Sequence, residues 1–353
     1  MRIGIPAEIK PLEGRVGLIP AACSGLVAAG HDVLVQSGAG VNSGYADADY
    51  IAVGARIVAD ADAAYGEAEM VVKVKEPVKG DITRLRKDHL LFCYLHLAAE
   101  PALTKALKDI GLTAVAFETV ADHLGRLPLL APMSDIAGRL SMQVATTLLH
   151  QPHGGKGILL GGVPAAKRGK VVVIGAGVAG GASATVAAGL GAEVIVFDMD
   201  RDKLERMRAL GPNVTGLYPH RADIADAVRT ADIVIGAVLV TGARAPHVVT
   251  EDMVRSMQAG SVVVDISVDQ GGCIETTRPT TWDDPTYVEH GVVHFTVTHM
   301  PGAVPRTSSQ ALSAAIAPYC EILAAGPSWR EDARLVKGIN VEGGKVVHPA
   351  VLG

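Results

Sequence analysis

The sequence predicts an α/β fold, in which parallel sheets are covered by helices on both faces. Short β-branched runs alternate with helical stretches along most of the chain, and this alternation is typical of parallel sheets. The chain has 353 residues, which is long for a single core and predicts two domains. Because 49% of the residues are hydrophobic and only 4% are aromatic, we expect cores built mainly from Ala, Val, Ile and Leu.

One segment in the middle of the chain, residues 171–198, predicts a nucleotide site. A β-branched run leads into the turn from Gly175 through Gly177 to Gly180, and a small-residue stretch and a second apolar run follow, ending at Asp198. This is the order of a strand, a tight turn, a helix and a strand. Glycines there bend the chain, let the backbone approach a pyrophosphate and let the helix pack closely, while the helix N-terminus attracts the anion. The segment therefore predicts a Rossmann-like dinucleotide site.

Two other interpretations of this segment are a glycine-rich turn without a ligand and a transmembrane helix, because residues 171–192 carry no charge. Six glycines in that window and a strand-like opening argue against a helix in lipid. Asp198 lies 18 residues after Gly180, where a carboxylate accepts ribose hydroxyls, so the sequence favours NAD. Arg201 and Lys203 would soften the repulsion of a 2′-phosphate, which leaves NADP open.

The composition excludes several classes of partner. A net charge of −5 with no basic run argues against nucleic acid and against an anionic membrane surface. Glu8 and Lys10 occur before any long apolar region, so we expect no signal peptide. Four scattered cysteines without a CxxC pair are typical of free thiols in a reducing cytoplasm. His290 and His294 are four residues apart, but they lie on a turn and a strand, and we expect no metal site there.

The order of the predicted elements suggests where the domains divide. Strands are predicted in the first part of the chain at 2–6, 32–36, 70–75, 90–95 and 113–118, with helices at 19–29, 56–68 and 101–110. A long helix follows, with Ser134 as its N-cap and an apolar stripe formed by Ile136, Leu140, Val144 and Leu148. The later predictions are helices at 201–210 and 222–229, strands at 231–240, 261–267 and 291–298, and a hairpin at Gly343-Gly344. We expect two doubly wound, Rossmann-like domains with a cleft between them: a substrate domain of residues 1–128 and 306–353, and an NAD-binding domain of residues 129–305.

Four charged side chains follow predicted strands, at the edge where open parallel sheets bind ligands. They are Arg15, Lys75, His96 and Asp269. Taken singly, each has a structural alternative: Arg15 as a solvated surface group, Lys75 as half of an exposed ion pair with Glu76, His96 as a core histidine and Asp269 as a turn cap. Their shared position at strand ends favours one functional cleft.

Nine segments of the chain resemble the alanine dehydrogenase/pyridine nucleotide transhydrogenase family. They are RIGIPAEIKPLEGRVGLIP, VVKVKEP, YLHLAAEP, LPLLAPMSDIAGRLSMQ, GKGILLGGVP, VVVIGAGVAG, ADIVIGAVLVTGARAP, DISVDQGGCIETTRPTT and MPGAVPRTSSQAL. The resemblance extends over nearly the whole chain, and DQGGC and MPGAVPRTS are more specific than the glycine motif. It implies an enzyme without a metal that oxidatively and reversibly deaminates L-alanine to pyruvate and ammonium, with hydride transfer to NAD. It also implies a homo-oligomer, commonly a hexamer.

The resemblance also implies roles for individual residues. Arg15 and Lys75 would bind the substrate carboxylate and carbonyl, His96 would be the catalytic acid and base, and Asp269 would support catalysis. The residues expected to bind the cofactor, including those of the glycine motif, are Ser134, Gly175, Gly177, Ala179, Gly180, Asp198, Lys203, His220, Val238, Leu239, Ile266, Asp269 and Met300.

Two positions depart from the pattern of this family. His299 stands where the family usually carries asparagine, and Pro219-His220 follows Tyr218 where it usually carries serine. An imidazole in place of an amide changes the size of the side chain and the number of protons that it can carry. His299 is expected to contact the substrate, so another small 2-amino acid stays open as the substrate. Two non-catalytic alternatives also stay open: an NAD-binding subunit of a proton-pumping transhydrogenase and a regulatory NAD-binding module. The presence of Arg15, Lys75 and His96 favours a catalyst.

Overall fold

The computed structural model describes residues 1–240 and 245–352. The strands in these ranges, in chain order, are β1 (Arg2–Ile5), β2 (Asp32–Gln36), β3 (Arg56–Val58), β4 (Met70–Val72), β5 (Leu90–Cys93), β6 (Thr113–Ala116), β7 (Lys170–Ile174), β8 (Glu193–Phe197), β9 (Val214–Leu217), β10 (Ile233–Gly236), β11 (Val262–Asp265), β12 (Thr286–Glu289), β13 (Val292–Phe295), β14 (Ile339–Glu342) and β15 (Lys345–Val346).

The α-helices of the same ranges are α1 (Pro20–Ala28), α2 (Asp47–Ala52), α3 (Ala61–Gly66), α4 (Lys79–Ile82), α5 (Pro101–Ile110), α6 (Ala131–Leu148), α7 (Val178–Gly189), α8 (Arg201–Arg208), α9 (Arg221–Arg229), α10 (Glu251–Arg255), α11 (Pro305–Ala324), α12 (Ala333–Lys337) and α13 (Pro349–Leu352). Within the described ranges, no helix combines the length and the apolar character that crossing a membrane requires.

The described residues fall into two compact units. Unit 1 contains residues 1–133 and the described residues from Gly302 onward, and unit 2 contains Ser134–Pro301. Each unit has its own sheet with helices packed against it, so the predicted α/β class with two Rossmann-like domains is confirmed.

The sheet of unit 1 has the strand order β15-β14-β6-β5-β4-β1-β2-β3. The strands from β6 to β3 pair in parallel, and their apolar residues are buried because helices cover a parallel sheet on both faces. At the other edge, β14 pairs antiparallel with both β6 and β15. β14 and β15 form the predicted hairpin, whose turn uses positive φ angles at Gly343 and Gly344.

The sheet of unit 2 has the strand order β12-β13-β11-β10-β7-β8-β9. Counted from β7 as the first strand, the parallel part follows the order 3-2-1-4-5-6 of a Rossmann fold. This order places the change of winding direction between β7 and β10, where such folds bind dinucleotides. β12 pairs antiparallel with β13 at the edge and was not predicted.

Several predicted elements are shorter than expected or different in type. The predicted helix at 56–68 contains β3 as well as α3, because Arg56–Val58 pairs with β2. The predicted strand at 231–240 is regular only over Ile233–Gly236, and the one at 70–75 ends at Val72. Strand pairing thus ends before the predicted site residues, which lie on the loops that follow.

The prediction that Ser134 is the N-cap of the long helix is wrong. α6 begins at Ala131, because Pro132 is tolerated in the first helical turn, where its missing N–H group would have no helical partner. The buried side of α6 also differs from the predicted stripe. Val144 and Leu148 are half-buried, whereas their neighbours Ala145 and Leu149 are fully buried.

Candidate active site

The turn between β7 and α7 in unit 2 is shaped by glycines that no other residue could replace without strain. Gly175 has a φ of +100°, and a Cβ atom there would lie 2.6 Å from the carbonyl oxygen of Ala237. A Cβ atom on Gly180 would lie 1.8 Å from the carbonyl oxygen of Gly175. Helix α7 therefore packs directly on the turn that precedes it.

Gly177, in contrast, faces open space. It is the residue before α7, and a Cβ atom there would meet no atom within 4 Å. No side chain of this residue caps the helix, so the first N–H groups of α7 point into a space that admits an anion. The combination of a close-packed turn and an open helix N-terminus fits the pyrophosphate of a dinucleotide.

Asp198 follows β8 and forms hydrogen bonds to the glycine turn and to its own loop. Its Oδ2 atom accepts the N–H group of Ala176 at 2.7 Å, and its Oδ1 atom accepts that of Asp200 at 2.8 Å. The ammonium nitrogen of Lys203 lies 3.8 Å from Oδ1. The carboxylate is thus fixed beside the glycine turn, with one cation near it.

Helix α6 packs against α7 through small residues. A Cβ atom on Gly138 would lie 2.1 Å from the carbonyl oxygen of Ala179, and the hydroxyls of Ser141 and Ser183 are 3.1 Å apart. The other predicted cofactor residues of unit 2 differ in exposure: Ser134, Val238 and Ile266 are half-buried, His220 and Leu239 are exposed, and Met300 is buried. Residues 241–244 of the segment ADIVIGAVLVTGARAP lie outside the described residues.

Asp269 and His299 form a pair in unit 2. The Nδ1 atom of His299 lies 3.5 Å from Oδ2 of Asp269, which also accepts the His299 N–H group at 3.3 Å. His299 has a φ of +57°, a left-handed conformation that few residues other than glycine adopt. Both side chains remain more than a third exposed, so the pair is available to a ligand.

The loop that carries Asp269 is held by Asp265 at the end of β11. The fully buried Asp265 carboxylate accepts the N–H groups of Ser267, Cys273 and Ile274 and the hydroxyl of Thr277, at 2.8–3.1 Å. Burial raises the pKa of Asp265, although these hydrogen bonds act in the opposite direction. One carboxylate therefore fixes the loop before and after Asp269.

In unit 1, Arg15 is held by Glu13. Its Nε and Nη2 atoms donate to the two carboxylate oxygens of Glu13 at 2.6 and 2.5 Å, and Nη1 contacts the sulfur of Met133 at 3.3 Å. Burial would raise the pKa of Glu13, but the hydrogen bonds and charge of Arg15 outweigh burial and lower it. Only 3% of Arg15 is exposed, so it is not the solvated surface group of the alternative interpretation.

Lys75 is also buried, beside Glu76. The Lys75 ammonium lies 3.6 Å from Oε2 of Glu76, whose other oxygen contacts the Lys10 ammonium. Burial would raise the pKa of Glu76, but Lys75 and Lys10 together lower it to about 2. The ion pair of Lys75 and Glu76 is therefore internal, not the exposed pair of the alternative interpretation.

A second buried carboxylate, Glu8, holds the strand end that carries Lys75. It accepts the N–H group of Val74 at 2.6 Å and binds the ammonium of Lys73 at 3.1 Å, and Lys73 also lies 3.5 Å from Asp81. Burial raises the pKa of Glu8, and the charge of Lys73 only partly offsets this effect. The backbone leading to Lys75 is thus fixed by side chains that are themselves buried.

His96 lies just beyond β5, and its imidazole is one-third exposed. Its ring stacks on Tyr94, with centroids 5.8 Å apart and planes within 6° of each other. The backbone N–H group of His96 donates to Oε1 of Glu118 at 2.6 Å. His96 is therefore accessible to a ligand, unlike the core histidine of the alternative interpretation.

The three predicted residues of unit 1 are linked to one another through their neighbours. The charges of Arg15 and Lys75 both lower the pKa of Glu13. Arg15 also interacts electrostatically with Tyr94, on which His96 stacks. Two buried cations and an accessible imidazole thus lie in one neighbourhood at the ends of β1, β4 and β5. This set can hold a carboxylate and move a proton beside it.

Comparisons with known proteins place this geometry in a family. The model described as "Alanine dehydrogenase/PNT, N-terminal domain" matches residues 4–137, and that of the C-terminal domain matches residues 141–349. The chain belongs to the alanine dehydrogenase/PNT family. It is 49% identical over 357 aligned residues to the alanine dehydrogenase of Bacillus subtilis, an alignment that covers 99% of this chain and 94% of that protein.

Two solved structures are similar to nearly the whole chain. An L-alanine dehydrogenase is 50% identical with a TM-score of 0.95, and the match covers 99% of this chain and 98% of that one. A transhydrogenase from Sinorhizobium meliloti is 28% identical with a TM-score of 0.85, covering 99% of this chain and 100% of that one. Membership of the alanine dehydrogenase/PNT family implies a nicotinamide dinucleotide as cofactor, which the glycine turn of unit 2 fits.

Four carboxylates that hold the predicted site residues or their loops were missed by sequence reasoning. Glu118 and Asp265 occupy strand ends, the same signal that identified His96, and that signal could have found them. Glu8 and Glu13 lie on an irregular stretch of chain after β1, where no spacing distinguishes them from solvated residues. Their importance appears only when burial and pairing are known.

The histidines weighed as zinc ligands do not share a site. His294 is buried between the hydroxyl of Thr276 and the carbonyl of Val292. His290 instead lies near Glu251 and Glu289, with ligand atoms within 4.8 Å of one another. Arg255 already binds Glu251, and a cation there would have to displace it.

Proposed function

We propose that this chain is an NAD-dependent dehydrogenase that interconverts L-alanine and pyruvate. In the oxidative direction, L-alanine, water and NAD give pyruvate, ammonium, NADH and a proton. The observation that carries the proposal is the neighbourhood of Arg15, Lys75 and His96 in unit 1, because two buried cations beside an accessible imidazole match the charge and proton demands of this reaction. The reaction class is that of the 46–49% identical relatives named alanine dehydrogenase.

The cofactor role belongs to unit 2. The N-terminus of α7 at Gly177 would hold the pyrophosphate, and Asp198 would accept the ribose hydroxyls. The negative charge of Asp198 disfavours a 2′-phosphate, so we propose NAD as the cofactor. The Lys203 ammonium, 3.8 Å from Oδ1 of Asp198, weakens this preference for NAD over NADP. When bound, the nicotinamide takes up the α-hydride of the amino acid.

The substrate role belongs to unit 1. Glu13 engages one edge of the Arg15 guanidinium, which orients the group and leaves further N–H donors for a substrate carboxylate. The Lys75 ammonium would lie near the carbonyl oxygen of the 2-oxo acid and stabilise the charge that develops there during reduction. Fixing a small substrate at two cationic points also orients its α-carbon.

The proton role belongs to His96. Loss of the hydride leaves an iminium carbon, to which water adds. His96 would take one proton of that water and give it to the nitrogen, since an imidazole exchanges protons near neutral pH. When the carbon–nitrogen bond breaks and the carbonyl forms, His96 would take the remaining hydroxyl proton, and the departing ammonia takes up that proton to become ammonium. We propose that Asp269, with His299 beside it, supports catalysis and lines the nicotinamide end of the cofactor site.

Two alternatives lead to different activities. Another small 2-amino acid would use the same residues, with His299 as the feature that alters specificity. A non-catalytic NAD-binding subunit resembles the 28% identical transhydrogenase, but such a subunit needs no buried substrate cations. The family resemblance further suggests a cytoplasmic homo-oligomer, with a hexamer as the expected state, which light scattering of the purified protein measures.

The experiment that tests the function is NADH oxidation by the purified protein with ammonium and a panel of 2-oxo acids. Rapid turnover of pyruvate that requires ammonium would support the proposal. Turnover of a different oxo acid would replace alanine by another substrate and implicate His299. Tight NADH binding without turnover of any oxo acid would contradict an enzymatic role and favour the binding module.

A further inference from the structure

We propose that Glu118 is a positioning residue that sets the ring orientation and the proton-bearing atom of His96. This inference rests on the proposed role of His96 as acid and base. Glu118 lies in the short turn Phe117–Thr119 that follows β6, next to β5 in the sheet. It therefore reaches the end of β5 from the neighbouring strand.

The first observation is that Glu118 fixes an unusual backbone. His96 has a φ of +51°, in the left-handed region that non-glycine residues rarely adopt. Oε1 of Glu118 accepts the N–H group of His96 at 2.6 Å and that of Leu95 at 3.2 Å. Leu95 and His96 follow the last residue of β5 that pairs with a neighbouring strand. The Glu118 carboxylate therefore supplies the hydrogen-bond acceptor that a strand would otherwise give, and it stabilises the bend of the backbone.

The second observation is that the imidazole is confined from two directions. Its face lies on Tyr94, whose hydroxyl donates to the Leu129 carbonyl at 2.6 Å and whose ring meets Phe117 edge-on at 5.0 Å. Its Nδ1 atom lies 4.0 Å from Oε1 of Glu118. At this separation the contact is electrostatic and not a hydrogen bond.

The position of Glu118 decides which ring nitrogen of His96 exchanges protons during the reaction. A carboxylate beside Nδ1 stabilises a proton on that atom, so the neutral ring keeps its lone pair on Nε2. Nε2 is then the atom that takes the proton from water and returns one to the leaving nitrogen. The same charge stabilises the imidazolium that forms between these two steps.

Other ionisable groups also face Glu118. Its charge acts on His348 of the C-terminal segment and on Tyr94 and Cys93 of the β5 end. Burial lowers the pKa of His348 and raises those of Tyr94 and Cys93, so all three are neutral near pH 7. Arg15, whose charge also acts on Tyr94, is a cation, so Glu118 is the carboxylate that faces His96 among these groups.

The test compares Glu118→Gln with Glu118→Ala. Glutamine keeps a side-chain oxygen for the two N–H groups but removes the charge, whereas alanine removes both. The readout is the set of ¹⁵N shifts of the neutral His96 imidazole, which report the tautomer and are identified by their absence in His96→Asn. Glu100→Gln is the matched control, because it removes an exposed carboxylate four residues from His96.

We expect the neutral His96 ring in Glu118→Gln to lose its preference for a proton on Nδ1, because the charge that favours this tautomer is lost. The turnover number should fall about tenfold with little change in KM for alanine, while melting temperature stays close to that of the wild type. Glu118→Ala should lose more turnover and also melt earlier. Glu100→Gln should leave all of these values unchanged.

Two results would overturn the inference. One is an unchanged His96 tautomer and an unchanged turnover number in a folded Glu118→Gln. The other is a wild-type His96 whose neutral ring carries its proton on Nε2, a measurement that needs no variant to fold. Failure of the proposed function looks different: His96→Asn would keep ammonium-dependent turnover, or the wild type would show none, whatever the tautomer of His96 reports about Glu118.

Discussion

The glycine turn of unit 2 offers a ligand backbone groups, whereas the charged cluster of unit 1 offers side chains. At the turn, Gly175 and Gly180 leave no room for a Cβ atom, and Gly177 leaves room only on its open side. In the cluster, Arg15 and Lys75 are 3% exposed and each is paired with a carboxylate. The first site is therefore vulnerable to added volume, and the second to a change in charge.

The two sites also respond differently to their surroundings. Backbone N–H groups do not titrate, so pH leaves their geometry alone. Buried ion pairs exist only while both partners are charged, and removing one partner leaves the other buried without compensation. The carboxylates of unit 1 show both responses: burial raises the pKa of Glu8, whereas two lysines lower that of Glu76.

The largest expected effect comes from adding one methyl group to the turn. Gly180→Ala would place a Cβ atom 1.8 Å from the Gly175 carbonyl oxygen, and α7 cannot move away without disturbing the sheet. We expect a loss of about 4 kcal/mol or more in the free energy of unfolding, measured by urea denaturation.

Gly177→Ala is the matched control for that change. A Cβ atom there meets no atom within 4 Å, so the protein should fold with stability close to that of the wild type. Because this side faces the proposed pyrophosphate, its affinity for NADH should nevertheless fall, as titration by fluorescence would measure. Equal stability of the two variants would show that close packing does not govern the turn.

The next effect concerns the charge of unit 1. The pKa of Glu76 falls from its ordinary value of 4.5 to about 2 in the folded protein. Its ionised form therefore contributes stability that is fully present above about pH 4.5 and is lost as the pH falls toward 2. The contribution is about 3 kcal/mol, since each pKa unit is worth about 1.4 kcal/mol.

Glu76→Gln isolates this contribution from the other carboxylates. Trp329 lies in unit 1 and Trp282 in unit 2, so Trp329 fluorescence in a Trp282→Phe background reports urea unfolding of the unit that carries Glu76. The stability difference between the Glu76→Gln variant and the protein that retains Glu76 should shrink by about 3 kcal/mol between pH 5 and pH 2. A difference that is independent of pH would mean that Lys75 and Lys10 do not lower this pKa.

The same contrast explains what the sequence could reveal. The turn of unit 2 was predictable because its requirements are local: a strand, three glycines, a helix and Asp198 lie within 28 residues. Arg15, Lys75 and His96 were predictable as strand-end residues, and their neighbourhood is visible in unit 1. Which carboxylate pairs with which residue was not predictable, because Glu118 meets His96 and Glu8 meets Lys73 only after the sheet brings distant segments together.

Errors in the predicted elements have the same origin. The segment at 56–68 has an apolar pattern that suits a helix, but pairing with β2 recruits Arg56–Val58 into the sheet. The beginning of α6 was placed at Ser134 from its capping preference, yet the helix starts at Ala131. Local preferences are weak where tertiary pairing or an earlier proline decides the boundary.

The smallest expected effect tests Asp198, whose carboxylate hydrogen-bonds to the glycine turn of unit 2. Asp198→Asn keeps an oxygen for the N–H group of Ala176 but removes the charge that would repel a 2′-phosphate. The preference for NAD over NADP, as a ratio of kcat/KM values, should fall about tenfold, roughly 1.4 kcal/mol, while melting temperature stays constant. Asp202→Asn removes a similar charge from the exposed surface of α8 and should leave the ratio unchanged. If both variants shift the ratio equally, cofactor choice depends on the general field near α8, and Asp198 acts only as a brace for the glycine turn.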